Sequence, residues 1–400
     1  MKSLGNESTP NLATHEECTG CLACVDSCRQ HALRPYIGED GHRYVAINRD
    51  QCIGCRKCEK VCLSSRSNYG VNDTQKSDVY AAWSTNTEDR ARATSGGVFS
   101  AVARKILENN GSVVGAVLDG RECRHILIQD VNDIALLQGS KYMESSMDGI
   151  YGIIERELSK GPVLFSGVGC QCGGVLAYFK NHRYKNNLFT MDLVCGGVPS
   201  KILLDKFYEK NTDIEQIISF RDKDKYRLQV TVDDKVVSID KKNLPLHGFN
   251  CGMTNRLSCY RCQFACVHRR TDFTIGDLWD YSVFPEEHSK GISTLIIHSE
   301  KGRHLVDGAC IELFPMKWEN SLISCRRIAC GRSHVFRPRK DLVKNAKRLS
   351  CERFIKLYCI AMRPTDVSLF IFRVYRYLLN KIHHWLIDKE IRRIIKKSDD

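Results

Sequence analysis

The sequence contains no long apolar run. Hydrophobic residues make up 42% of the 400 positions, yet no stretch reaches the ~20 uncharged apolar residues that a membrane-spanning helix needs. The first residues, MKSLGNESTPNLATHEEC, contain no apolar segment of the kind found in secretory signals. We therefore expect a cytoplasmic protein. Its length and hydrophobic content suit two or three folded domains.

The cysteine content argues against disulfide bonds. The chain has 21 cysteines, an odd number, and eight of them follow an unbroken ligand spacing rather than a pattern of pairs. So many unpaired thiols need a reducing compartment.

Acidic residues are the minority among charged residues. Sixty Lys and Arg oppose 47 Asp and Glu, which gives a net charge of +13. Such a charge favours nucleic acid, anionic lipid, or an acidic partner or cofactor. Because the basic residues are spread along the chain rather than concentrated between aromatic residues, nucleic acid is the least favoured of these.

Two cysteine runs near the start share the spacing C-x2-C-x2-C-x3-C. The first run is Cys18, Cys21, Cys24 and Cys28, and the second is Cys52, Cys55, Cys58 and Cys62. In proteins with this spacing the fourth cysteine of each run binds the [4Fe–4S] cluster of the other run. We therefore predict one cluster on Cys18, Cys21, Cys24 and Cys62, and a second on Cys28, Cys52, Cys55 and Cys58.

Zinc is the alternative for these cysteines. Zinc ligands usually come as two pairs rather than as two runs of four, so the iron–sulfur interpretation is favoured. One feature departs from the common pattern: the proline that usually follows the fourth cysteine is replaced by Arg29 and Leu63. Proline shapes the turn but supplies no ligand.

The remaining chain alternates strand and helix patterns. Helices are predicted at 97–108, 173–179 and 201–209, with a glycine-bearing loop before the second of them. Strands are predicted at 44–47, 112–118, 162–165, 188–194, 272–278 and 291–298, with a hairpin over 227–239. Strands joined by crossover helices predict a parallel or mixed sheet with covered faces. The fold class is therefore α/β (α+β overall), with a two-cluster ferredoxin module in front.

We divide the chain at the changes in pattern. Residues 1–75 form the ferredoxin-type domain with its linker, 76–160 and 161–345 are two parts of the α/β body, and 346–400 are a basic amphipathic tail. We favour a tail helix packed on the body over one that lies at a membrane surface. Ligands of such sheets gather beyond the carboxyl ends of the strands, where Cys170 and Cys195 follow successive predicted strands.

Six segments form a recognisable set in this order. They are Thr94-Ser-Gly-Gly-Val-Phe-Ser-Ala, Gly139-Ser-Lys-Tyr-Met-Glu-Ser, Val163-Leu-Phe-Ser-Gly-Val-Gly-Cys-Gln-Cys, Leu193-Val-Cys-Gly-Gly-Val-Pro-Ser, Ser258-Cys-Tyr-Arg-Cys and Asp272-Phe-Thr-Ile-Gly-Asp-Leu-Trp. Over roughly residues 16–300 the chain resembles the coenzyme F-420 hydrogenase/dehydrogenase beta-subunit family, in the branch with a fused two-cluster ferredoxin. The resemblance implies an FAD-binding body with a third [4Fe–4S] cluster near the flavin.

The resemblance also implies site residues. Ser95, Gly96 and Gly97 match a glycine-rich helix start, whose N–H groups suit a phosphate; the alternative is an ordinary capped helix with glycines that allow close packing. Ser140, Lys141 and Tyr142 match a segment in which lysine offers charge to a pyrophosphate or to reduced flavin and tyrosine stacks on a ring. A surface lysine is the alternative there. Asp277 matches a position near the site, or is a turn-forming aspartate.

The sequence leaves alternatives for the ligands of the third cluster. The resemblance favours Cys170, Cys195, Cys259 and Cys262, with Cys172, Cys251 and Cys266 as competitors. Val168-Gly169 replaces the family's usual Thr-Pro, and Gly196 stands where histidine is common.

The predicted function is that of an iron–sulfur flavoprotein oxidoreductase. It passes electrons between its clusters and a hydride-carrying substrate or coenzyme, such as F-420, through FAD. The alternative is an electron-relay subunit of a larger redox complex, without substrate chemistry of its own. Expected partners are a redox protein or a hydride-carrying coenzyme, with peripheral membrane contact through the tail as a further prediction. No residue is assigned a catalytic role.

Overall fold

A computed structural model describes residues 9–64, 77–221, 227–239, 243–267, 269–329 and 339–358. Most of the predicted linker, and the predicted tail helix from Asp366 onward, lie outside these residues. The described strands are β1 Leu33–Ile37, β2 Arg43–Ile47, β3 Asp78–Ser84, β4 Ser112–Asp119, β5 Glu122–Ile128, β6 Val163–Val168, β7 Leu188–Leu193, β8 Gln216–Ser219, β9 Leu228–Val232, β10 Lys235–Ile239, β11 Phe273–Asp277, β12 Ser293–Ile297 and β13 Ile311–Pro315.

Helices connect most of these strands. They are α1 Ala23–Asp26, α2 Lys57–Val61, α3 Thr87–Arg92, α4 Val98–Glu108, α5 Ile134–Leu137, α6 Ile150–Leu158, α7 Gly169–Phe179, α8 Ile202–Lys210, α9 Leu244–Cys251, α10 Glu300–Val306, α11 Trp318–Ser324, α12 Arg339–Ala346 and α13 Cys351–Tyr358. Short 3₁₀ turns lie at Val131–Asp133, Lys185–Asn187, Leu257–Arg261, Pro285–Lys290 and Arg326–Ile328.

An eight-stranded mixed sheet organises the body. Its strand order is β13-β3-β12-β11-β7-β6-β4-β5. The central pairs β4/β6, β6/β7 and β7/β11 are parallel, and the outer pairs are antiparallel. The prediction of a mixed α/β sheet is therefore confirmed. The carboxyl ends of four adjacent strands meet along one edge.

Alternating side chains give this sheet two buried faces. Val113 and Leu164 belong to the core that α4, α5 and α10 cover, whereas Val114 and Phe165 belong to the core beneath α6 and α7. The two-residue period of a strand causes this division. It produces a helix–sheet–helix arrangement in which both faces of the parallel strands are excluded from water.

One local prediction is wrong. The second predicted helix begins at Gly169, so no glycine-bearing loop separates it from β6. Gln171 Oε1 accepts a hydrogen bond from the Val168 N–H at 3.1 Å, which satisfies a backbone donor at the helix start. As a result Cys170 lies in the first turn of α7. The predicted hairpin is present, and Asp233 and Asp234 both adopt positive φ in its two-residue turn.

The N-terminal module, residues 9–64, packs on the face of the body formed by α6 and α7. Leu22 and Ala23 of this module are buried in the same core as Val175 of α7. The Tyr151 hydroxyl donates to the Cys21 carbonyl at 2.7 Å. The module therefore has a fixed position relative to the sheet.

A second, three-stranded sheet lies beside the main one. Its strand order is β10-β9-β8, and its core is shared with α8 through residues such as Phe207 and Val230. Among the described residues, no helix has both the length and the hydropathy to span a bilayer. The cytoplasmic location stays a prediction.

Candidate functional site

The first group of cysteines combines residues from both runs. A small cavity of about 50 Å³ is lined by Cys18, Cys21, Cys24 and Cys62. Burial first, and then the charges of Cys21, Cys62 and Cys18, raise the pKa of the Cys24 thiol well above its usual value. Cys62 is buried, and Cys18, Cys21 and Cys24 are half-buried. Thiols that repel one another when ionised favour a cationic iron centre between them, because binding a metal removes the protons.

The second group is the reciprocal set. Cys28, Cys52, Cys55 and Cys58 line a cavity of about 20 Å³. Burial raises the pKa of the Cys58 thiol to about 11, and the charges of Cys28 and Cys52 add to this shift. The structure thus places the fourth cysteine of each run with the other run, which is the exchange expected from the spacing.

A third group forms where three segments of the body converge. Burial, and then the charges of Cys262, Cys259 and Cys195, raise the pKa of the Cys170 thiol well above its usual value. Cys170 is held by the start of α7, and Cys195 follows β7. The sulfurs of Cys195 and Cys259 accept backbone N–H groups at 3.3 Å and 3.4 Å. These are the four cysteines that the family resemblance favoured.

The three competing cysteines have other surroundings. Cys172 is fully buried, with its sulfur 3.7 Å from the Gly167 carbonyl oxygen and 3.6 Å from that of Met191. The sulfur of Cys251 lies 3.8 Å from a ring nitrogen of His247 on the same helix. The carbonyl of Cys266 accepts a hydrogen bond from Arg269.

A single metal ion and an iron–sulfur cluster place different demands on their ligands. Among the residues that the structure describes, no three His, Cys, Asp or Glu side chains are placed to hold a single metal ion. A [4Fe–4S] cluster is a different kind of site, because its four thiolates bind four separate irons.

A crevice lies at the carboxyl ends of the parallel strands. It consists of a cavity of about 210 Å³ and an adjoining cavity of about 410 Å³, which share part of their walls. Ser166–Val168 of β6, Leu193 of β7 and Ile275 of β11 contribute strand-end residues to it. Cys170 lines the smaller cavity and Cys195 the larger. The third cysteine group therefore borders the crevice.

The start of α4 faces the smaller cavity. Ser95 and Gly97 line it, and Gly97 precedes the helix with φ 78°. Gly96 has a packing role, since a Cβ there would clash with the Ala82 carbonyl oxygen and lie 2.7 Å from the Ser293 nitrogen. Its N–H donates to Ser293 Oγ at 3.0 Å. The helix start thus approaches the crevice because this glycine allows close contact with the sheet.

Lys141 is a half-buried cation in the wall that both cavities share. Its ammonium donates to the carbonyls of Leu137, Gln138 and Gly139 at 2.9, 2.6 and 3.2 Å. Burial lowers its pKa to about 8. It contributes positive charge to the crevice wall while its donors are held by the backbone.

The neighbours of Lys141 in the predicted segment have separate contacts. The Ser140 hydroxyl lies 3.1 Å from that of Thr94. Tyr142 lines the larger cavity and stacks on Phe249, with ring centroids 4.0 Å apart.

Asp277 lines the larger cavity. It forms a two-point ion pair with Arg221, at 2.7 and 3.0 Å, and the guanidinium lies over the Trp279 ring at 4.8 Å. Burial by itself lowers the pKa of Arg221. The hydrogen bonds and the charge of Asp277 have the larger combined effect, so the pKa of Arg221 is raised. Asp277 therefore orients Arg221.

Sequence reasoning missed two residues at the junction of the N-terminal module and the body. The Arg256 guanidinium is 1% exposed and contacts Glu144 at 2.6 Å. It also donates to the carbonyls of Arg43 and Cys18, at 2.9 and 3.4 Å. Glu144 falls within the predicted Ser-Lys-Tyr segment, but no local pattern distinguishes Arg256 from a surface arginine.

Three family models match separate parts of the chain. The family model described as Coenzyme F420 hydrogenase/dehydrogenase, beta subunit N-term, matches residues 79–150, and the corresponding C-terminus model matches residues 161–314. A 4Fe-4S dicluster domain model matches residues 17–65. The two beta-subunit models together match more than half of the 400 residues.

Individual relatives are more distant. The coenzyme F420-dependent sulfite reductase of Methanocaldococcus jannaschii is 28% identical over 283 residues, which are 64% of this chain and 41% of that protein. Subunit alpha 1 of the acetyl-CoA decarbonylase/synthase complex of Methanosarcina barkeri is 40% identical over 50 residues, 12% of this chain and 6% of that protein. The chain thus spans less than half the length of the curated relatives it matches.

One solved structure that superimposes on this chain is the F420-reducing [NiFe] hydrogenase complex from Methanosarcina barkeri. The superposition has a TM-score of 0.45 at 16% identity and covers 73% of this chain and 94% of that one. The number of clusters, the presence of FAD and the individual site residues stay predictions.

Proposed function

Because the chain belongs to the coenzyme F420 hydrogenase/dehydrogenase beta-subunit family and carries a 4Fe–4S ferredoxin-type domain, we propose that it exchanges electrons between iron–sulfur clusters and a hydride-carrying coenzyme. The family and its iron–sulfur character are the general parts of the sequence prediction, and the family models support them. FAD as the intermediate carrier, and a deazaflavin or similar compound as the coenzyme, are the specific parts of this proposal.

The proposal rests on the order of the three cysteine groups. The second group reaches the surface at Cys55, and the charge of Cys58 acts on Cys24 of the first group. Cys21 of the first group and Cys170 of the third pack against the same hydrophobic cluster, which includes Leu63 and Phe264. Cys170 lines the crevice. A continuous series of ligand groups from the surface to an internal cavity supports electron transfer along it.

The crevice suits FAD in several respects. The larger cavity, about 410 Å³, falls within the size range of cofactor sites, and both cavities lie where open α/β sheets bind their ligands. Lys141 supplies half-buried positive charge, and the start of α4 presents a helix N-terminus, both of which favour a pyrophosphate. When bound, FAD supplies the conversion between hydride transfer and single-electron transfer. The chain orients it and limits its exposure to water.

The test is anaerobic reconstitution with iron and sulfide, followed by iron, sulfide and flavin analysis. Three clusters correspond to about twelve irons per chain, and the proposal expects one FAD besides. The reconstituted chain is then mixed with reduced F-420, NADH or NADPH in a stopped-flow spectrometer. We expect one of these donors to cause a loss of visible absorbance within a few seconds of mixing.

The alternative function, an electron relay without substrate chemistry, gives another result. Such a chain contains iron but no flavin, and none of the hydride donors reduces it, although dithionite does. Zinc in place of iron contradicts both functions.

A further inference from the structure

The surface around the second cysteine group points to a partner, and this inference rests on the proposed function. Cys55 is exposed, whereas the other seven cysteines of the two N-terminal runs are buried or half-buried. The series of ligand groups therefore reaches solvent at Cys55. Some proteins could exchange electrons with the chain without entering the crevice. Such a protein approaches the ligand groups most closely at Cys55.

The residues around Cys55 are apolar and cationic. Ile53 is 66% exposed, the largest exposure among the large hydrophobic residues described. Arg56 and Lys57 are exposed and line the same cavity as the four cysteines, and no carboxylate from the described part of the chain lines it. The nearest acidic residue of helix α2, Glu59, accepts a hydrogen bond from the Asn11 N–H. The charged residues among those that the structure shows lining this cavity are Arg56 and Lys57, so its rim is cationic.

We propose that this surface, defined by Ile53, Cys55, Arg56 and Lys57 and called the distal surface, docks a small acidic electron-carrier protein. An apolar centre with a charged rim is the usual anatomy of a protein interface. A cationic rim attracts an acidic carrier and raises its rate of encounter. Redox encounters also need only a small contact area, which agrees with the limited size of this surface. One electron crosses, and no bond or proton is transferred.

The test compares two double charge reversals that change the net charge equally. R56E/K57E alters the distal surface, whereas K235E/K340E alters two exposed lysines on β10 and α12. The probe is a plant-type [2Fe–2S] ferredoxin, a low-potential carrier, chosen for a strongly acidic surface. Its dissociation constant is measured by calorimetry, and its one-electron transfer to the oxidised chain by stopped-flow spectroscopy, each at low and high ionic strength.

We expect R56E/K57E to weaken binding and slow transfer by about tenfold or more at low ionic strength. The difference should shrink at high ionic strength because salt screens the charges. K235E/K340E should stay within about twofold of the unsubstituted chain. Iron content and the electron paramagnetic resonance spectrum show whether the clusters are intact in each variant. If R56E/K57E loses iron, R56Q/K57Q replaces it, with a smaller loss of binding expected.

Equal effects of the two reversals would overturn the inference, as would a transfer rate that does not depend on ionic strength. Tighter binding of a basic carrier, cytochrome c, at the distal surface would also overturn it. Failure of the proposed function is a separate result: the chain then lacks flavin or is not reduced by any hydride donor, while ferredoxin binding is unaffected.

Discussion

Arg256 and Glu144 form an ion pair, 2.6 Å between Nη2 and Oε1, at the junction of the N-terminal module and the body. The other carboxylate oxygen of Glu144 accepts the N–H of Arg43 at 3.2 Å, and Arg256 donates to the Cys18 carbonyl. Two residues of the body therefore hold the backbone of the module at Cys18, a member of its first cysteine group, and at Arg43 in β2. This junction separates that group from the crevice.

Loss of Glu144 should be costly because it leaves a buried arginine without its counterion. We expect E144A to reduce the free energy of unfolding by about 3–5 kcal/mol. The matched control is D119A, which breaks an exposed pair with Arg124 of similar length, 2.7 Å, and should cost less than about 1 kcal/mol. Urea unfolding of the anaerobic protein, followed by circular dichroism, measures both. Similar midpoints for the two variants would show that the junction does not stabilise the chain.

The ligands of the third cluster can be separated by a pair of serine variants. Cys259 belongs to the third group, whereas Cys266 contacts Arg269. We expect C259S to lose about four irons per chain after reconstitution, the content of one cluster, and C266S to retain them. Iron analysis and electron paramagnetic resonance spectra measure the loss. The reverse pattern would make Cys266 a ligand in place of Cys259.

FAD binding should depend on pH through Lys141. Burial lowers the pKa of this ammonium to about 8, so raising the pH through 8 removes a positive charge from the crevice wall. We expect the dissociation constant of FAD to increase from pH 7 to pH 9, because the charged lysine attracts the pyrophosphate. K141M should bind FAD more weakly, and its dissociation constant should not change between pH 7 and pH 9. K141R should bind FAD, and its dissociation constant should not rise over this range. Fluorescence titration of FAD measures these constants, and the same rise in K141M would exclude Lys141 as its cause.

Raising the pH should weaken FAD binding but increase the contribution of Lys141 to the stability of the folded chain. A lysine whose pKa is lower in the folded chain than in the unfolded chain disfavours folding while it is charged. Between pH 8 and the ordinary value of 10.5 the unfolded chain binds more protons, so the Lys141 contribution to stability rises with pH. Tighter FAD binding at low pH thus coincides with a less stable crevice wall.

Gly96 should be intolerant of a side chain. A Cβ there meets backbone atoms of β3 and β12, the latter at 2.7 Å, so we expect G96A to destabilise the chain by a few kcal/mol and to weaken FAD binding by displacing the start of α4. A Cβ at Gly152, within α6, would meet no atom of the neighbouring described elements within 4 Å. G152A should therefore be neutral or stabilising by up to about 1 kcal/mol. Thermal unfolding distinguishes them, and equal melting temperatures would contradict the close packing at Gly96.

Much of the fold follows from local patterns. The helix Val98–Glu108 and the strand Ser112–Asp119 agree with the prediction to within a residue, because burial on one face imposes a regular hydrophobic period. The start of the helix at Gly169 does not follow from such a pattern. Its glycines favour a loop in the sequence, but the hydrogen bond of Gln171 to the Val168 N–H stabilises the first turn, and neighbouring elements cover the glycines.

Ligand spacing and hydrophobic period are properties of short segments, and they were enough to predict the two N-terminal cysteine sets and a parallel or mixed sheet. Which cysteines of the body meet depends on the tertiary structure, since Cys170, Cys195 and Cys259 come from segments that are distant along the chain; in the sequence, the family resemblance alone favoured this set. The Arg256–Glu144 pair likewise depends on the tertiary structure. A charged side chain looks alike in the sequence whether it is solvated or buried, and only folding supplies the partner that makes its burial favourable.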